Sequence, residues 1–129
     1  MRDNIRYAIV GFIVWVIVLA IVRFLGTTVF SAGNPLLILF YIVTFPLGIA
    51  FVTAFRALFK LPMSEMMHPM VIFAIVALMM DGFSFGFTKF YGVGEHELYA
   101  AAYLLWAPGV FLLCAWWLVS RAKQSTATT

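Results

Sequence analysis

Four apolar runs take up nearly the whole chain: residues 7–25, 35–55, 69–87 and 98–119. A helix needs roughly 20 apolar residues to cross about 30 Å of hydrocarbon, and each run meets that length. Lipid offers the backbone no hydrogen bonds, so a spanning segment is a helix or part of a closed barrel. A barrel strand alternates polar and apolar residues over about 10 positions. Ala8-Ile9-Val10 and Leu36-Leu37-Ile38-Leu39-Phe40 do not alternate. The sequence therefore predicts an all-α integral membrane four-helix bundle, up-down-up-down, as one transmembrane domain over residues 1–129. Charged residues make up only 10% of the chain, against about 25% in an ordinary soluble domain. Any function must lie inside the bundle or in three short loops.

The net charge of +3 belongs to orientation rather than to nucleic-acid binding, which is not expected. Arg2, Arg6, Arg56, Lys60, Arg121 and Lys123 fall at the N-terminus, the middle loop and the C-terminus. In a four-span chain those places share one side. Lys89, and Arg23 near a span end, belong to the other. The positive-inside rule makes the first side cytoplasmic, N-in and C-in. Residues 120–129 then form a polar cytoplasmic tail. Asp81, Glu95 and Glu97 lie toward the outer half. Arg2 and Arg6 before an apolar run, with Val29-Phe30-Ser31 behind it, resemble a signal peptide, but the run is longer than a typical signal core. A retained first span is expected. Cys114 is the single cysteine. It excludes an intrachain disulfide and reads as a small apolar filler.

Polar punctuation divides the chain into a pair of hairpins. Asn34 is placed to cap the second helix, with Pro35 at its first position. Leu61-Pro62 breaks the middle loop, and Ser64-Glu65-Met66 predicts a short turn or interfacial helix before Pro69. Pro46 with Gly48, and Pro108 with Gly109, predict mid-span kinks and a faint echo between the hairpins. In Asp81-Gly82-Phe83-Ser84-Phe85-Gly86-Phe87 the glycines either admit a close helix neighbour or mark an early end or distortion of the helix.

Asp81 is the sharpest chemical signal. Counted from Pro69 it lies roughly 18 Å into span three, while Arg23 lies roughly 24 Å along span one. An intramembrane carboxylate is costly unless paired or hydrated, and a bent guanidinium can close that offset. Arg23 and Asp81 are therefore candidates for a buried ion pair. Either the pair is a structural clasp, or Arg23 reaches the outer headgroups, or Asp81 handles a proton or cation. Lys89, Glu95, His96 and Glu97 form a polar cluster at the outer mouth. Their spacing differs from the i, i+4 pair of a compact helical metal site, so a solvated loop with interfacial tyrosines is expected. Met63, Met66, Met67, His68 and Met70 offer soft ligands suited to Cu(I), yet methionine is also a common gap-filler. Trp15, Trp106, Trp116 and Trp117 suggest either a cofactor pocket or, for the last two, an interfacial belt. No phosphate-binding glycine loop and no nucleophile–base pair appears, so neither an enzyme nor a cofactor is expected.

Met80-Asp81-Gly82-Phe83-Ser84, Tyr103-Leu104-Leu105-Trp106 and Arg23-Phe24-Leu25-Gly26 together resemble a family of small four-span bacterial membrane proteins known only as a domain of unknown function. The resemblance implies a multi-pass protein of the bacterial inner membrane and supplies no activity. Two functional readings remain. One is a non-enzymatic membrane component or partner protein. The other is a small oligomeric transporter or channel subunit that uses Asp81. Small multidrug transporters match in size and span number, but they rely on an acidic residue in span one, and none is present here. The expected partners are the lipid bilayer and either further copies of this chain or another membrane protein.

Overall fold

The computed structural model describes residues 2–31, 33–87 and 95–127. They form four helices: α1 (Arg2–Val29), α2 (Pro35–Phe59), α3 (Met67–Phe87) and α4 (Glu95–Ala127). Among the described residues there is no strand. All four helices are long and apolar enough to cross a membrane. The outer two are longer than a bilayer requires. The 28 residues of α1 and the 33 of α4 reach about 42 and 50 Å at 1.5 Å per residue. Their polar ends are helical too, and the tail continues α4 as far as Ala127.

The helix boundaries follow local chemistry. Asn34 caps α2, its Oδ1 accepting from the Leu36 backbone N–H at 2.9 Å, with Pro35 next in the chain. Lys60 closes α2 in the left-handed conformation, φ 53°. Its N–H donates to the Ala57 carbonyl and that of Leu61 to Arg56, the double bond of a Schellman end. A single 3₁₀ turn, Met63–Glu65, fills the expected place before α3. Pro69 sits in the first turn of α3, where the missing N–H costs little. Pro46 and Pro108 lie inside unbroken helix. The Gly82 and Gly86 segment differs from both expectations. The helix runs on to Phe87, and among the described residues a Cβ at either glycine would meet nothing within 4 Å. Among those residues neither an early end nor a close neighbour explains them.

Packing departs from the pair of hairpins. The helices meet in the order α1–α3–α4–α2, with α1 touching α4 lightly. The consecutive pair α3 and α4 does pack together, but α1 and α2 make little backbone contact among the described residues. One glycine, Gly48, accounts for part of this. At Gly11 a Cβ would lie 3.4 Å from Phe73 Cα, an ordinary contact, so α1 lies close on α3 there without requiring glycine. A Cβ at Gly48 would lie 2.9 Å from Cys114 Sγ and 3.2 Å from Phe111 Cδ1, so α2 approaches α4 there. Without a hydrophobic force between helices in lipid, such close van der Waals contact decides which helices pair. Gly109 faces open space, so the resemblance between the two Pro/Gly sites is one of sequence alone.

Two apolar clusters tie the bundle. One gathers Tyr7 from α1, Val52 and Phe55 from α2, Met66, Met70 and Phe73 around the start of α3, and Ala115 and Val119 from α4. The other joins Val22, Val29 and Phe30 to Ala100 and Leu104, with Leu37, Phe40 and Phe85 packed against them. At the first cluster Tyr7 meets Phe59 edge-on, with ring centroids 4.9 Å apart. At the second, Phe30 meets Phe40 at 6.2 Å. These contacts tie α1 and the residue just after it to α2 at two separated levels.

Candidate functional site

Trp15 lies halfway along α1 and turns inward, 6% exposed. A buried indole N–H needs an acceptor. It finds one on α3: Trp15 Nε1 donates to Asp81 Oδ1 at 2.8 Å. Asp81 is itself only 4% exposed. The close packing of α1 on α3 brings the two side chains together. A charge-assisted bond of this kind meets part of the cost of a carboxylate at membrane depth.

The pair forms part of the wall of a cavity of about 200 Å³. All four helices line it. Val14, Val18, Ile21 and Val22 come from α1, and Phe40 and Leu47 from α2. Phe73, Ala77 and Asp81 come from α3, and the stretch from Tyr103 to Phe111 supplies α4's share. Tyr103, which lines the cavity, belongs to a hydroxyl pair. Thr44 donates to the Phe40 carbonyl at 2.6 Å, and its Oγ1 lies 2.9 Å from the Tyr103 hydroxyl. A threonine has one hydroxyl proton. With that proton on Phe40, Tyr103 is the donor to Thr44. Tyr103 also packs against Phe30, Phe40 and Tyr41, which holds its ring at the cavity edge.

The sequence-predicted residues are distributed unevenly about this site. Asp81 is in it. Arg23 is exposed on α1, eight residues beyond Trp15. Lys89 lies outside the described residues, as do the side chains of Glu95 and His96, while Glu97 is half-buried in the first turns of α4. The methionines belong to the opposite end of the bundle. Met66 and Met70 are fully buried in the cluster around Tyr7 and Phe55, and Met63 and Met67 pack against it. His68 is exposed and bonds through Nε2 to Asn4 Oδ1 at 2.9 Å. Among the described residues no group of three or more His, Cys, Asp or Glu side chains is placed to hold a metal ion. Cys114 is buried, its thiol 3.6 Å from the Phe45 carbonyl.

Trp15 is the residue that sequence reasoning did not connect to Asp81. A usable signal was present: an indole in the middle of one span and a single carboxylate well inside another. The chain matches no protein-family profile, no curated protein and no solved structure.

Proposed function

We propose that this chain is a multi-pass protein of the bacterial inner membrane that acts as a non-enzymatic membrane component or partner. The two apolar clusters support an up-down-up-down course, since each gathers residues from alternating helix ends. The basic residues at the ends of α1, α2 and α4 support cytoplasmic termini. The single observation that carries the reading is the Trp15–Asp81 hydrogen bond. It engages the buried carboxylate in holding α1 to α3, which is the work of a structural clasp. Arg23, further along α1, is the proposed cation of that clasp. The test is Asp81→Asn: under this reading it lowers the amount of protein in the membrane and changes nothing else.

A second reading is favoured by the cavity that Asp81 lines. There the carboxylate handles a proton or cation in a small oligomeric transporter or channel. Asp81→Asn would then leave abundance normal and abolish cation flux in proteoliposomes. Wild-type vesicles with no flux of any cation would remove this second reading.

A further inference from the structure

The cavity and the gap between α1 and α2 belong together. Ile21 on α1 and Leu47 on α2 both line the cavity, yet they are 46% and 53% exposed. Helices α1 and α2 share little backbone contact among the described residues. Above and below, the Tyr7–Phe59 and Phe30–Phe40 contacts close the seam. The exposed pair therefore marks a side window between these levels, which in a membrane-spanning bundle would face the hydrocarbon. A molecule entering through it must first dissolve in lipid.

The lining narrows its chemistry further. Trp15, Phe40, Phe73, Tyr103 and Phe111 present aromatic rings, and Asp81 is the one carboxylate among the lining residues. Ring faces attract cations, and the attraction grows when water is excluded. A carboxylate in the same low-dielectric space adds a full opposite charge. Size sets the last limit. A cavity of about 150 Å³ accepts benzene, so about 200 Å³ suits one ring with a short arm. Large multi-ring cations are too big.

We propose that this cavity is a binding site for a small lipophilic ammonium, one aromatic ring or short alkyl body carrying one cationic nitrogen, with Asp81 as its counter-ion. The ligand enters between Ile21 and Leu47. Its body lies among the rings and its nitrogen turns toward α3. This inference deepens the second reading above and rests on the same carboxylate, but it concerns binding and does not require flux.

The test is isothermal titration calorimetry on the full chain in detergent micelles. Phenethylamine is the probe, and phenethyl alcohol is its neutral partner of nearly equal shape. The wild type is expected to bind the amine at least about tenfold more tightly than the alcohol, the scale of one desolvated charge contact. Asp81→Asn is expected to erase that preference. Ala77→Leu, which fills the cavity and leaves the carboxylate in place, is expected to weaken both ligands. Equal affinity for the two ligands in the wild type would overturn the proposal, as would no binding of either. So would amine binding unchanged in Ala77→Leu. The wild-type comparison decides the matter even where Asp81→Asn does not fold. Binding of phenethylamine without flux of any cation in proteoliposomes would sink the transport reading and leave the site standing. Cation flux without phenethylamine binding would do the reverse.

Discussion

Asp81 and Trp15 make complementary demands that their meeting helps to satisfy. The indole needs an acceptor and the carboxylate needs donors, and both side chains are buried. Losing the indole N–H should therefore cost more than an exposed hydrogen bond would. Trp15→Phe is expected to destabilise the bundle by roughly 1.5–3 kcal/mol, the range for hydrogen bonds to charged groups. In a double-mutant cycle with Asp81→Asn, read by thermal melts in detergent, the two losses should fall short of additive. The same cycle run on Arg23→Ala and Asp81→Ala measures the proposed ion pair. A lone buried charge is worse than none, so the double variant should be more stable than the worse single one. Additive effects would show that Arg23 and Asp81 act separately. Asp81 was legible as a site residue because a charge inside an apolar run stands out. Its bond to Trp15 was not, because depth counted from span ends says nothing of the rotation of each helix about its axis. That rotation turns Trp15 inward and leaves Arg23 exposed.

Among the elements, α2 carries two testable features. Lys60 holds a left-handed conformation at its end, which costs a residue with a Cβ about 1–2 kcal/mol. Lys60→Gly removes that strain and gains backbone entropy in the unfolded chain, so a net stabilisation of about 0.5–1 kcal/mol is expected. A higher melting temperature would register it. Gly48 makes the contrary prediction. Its added methyl would meet Cys114 Sγ at 2.9 Å, and overpacking of this kind costs about 1–3 kcal/mol. Gly48→Ala should destabilise, and Cys114→Ala in the same chain should recover most of the loss. Gly109→Ala, with open space at its Cβ, should be neutral or slightly stabilising. In sequence the two sites look alike: each is a glycine shortly after a proline. Which of them touches a neighbour depends on how α2 faces α4, and a mean apolar character common to all faces hides that. The cap at Asn34 and the break before α3 were legible because their causes are local.

For the whole molecule, the number of apolar helices was legible from hydropathy alone, but not how far α1 and α4 run on past their apolar runs. The order of the helices around the bundle was not legible either. Proximity along the chain suggested α1 beside α2, whereas α1 packs on α3 and α2 on α4, the latter with a close approach at Gly48. The proposed threading is checked by reporter fusions. Those after Lys60 and after Ala127 should read cytoplasmic, and one after Gly94 should read external. A cytoplasmic signal at Gly94 would invert or break the proposed course.

The length of α4 bears on anything attached behind it. Arg121 lies over the Trp117 ring at 4.7 Å, so side chains keep helical register from the span into the polar tail. That tail is a shaft, not a tether. A shaft passes on rotation. Each residue inserted between Ser120 and Ala127 would turn a fused domain by about 100° about the helix axis while advancing it only about 1.5 Å. Two spin labels, one on the span and one on the fused domain, would report distances that rise and fall with a period of about 3.6 inserted residues. A flexible tail would show a smooth increase instead.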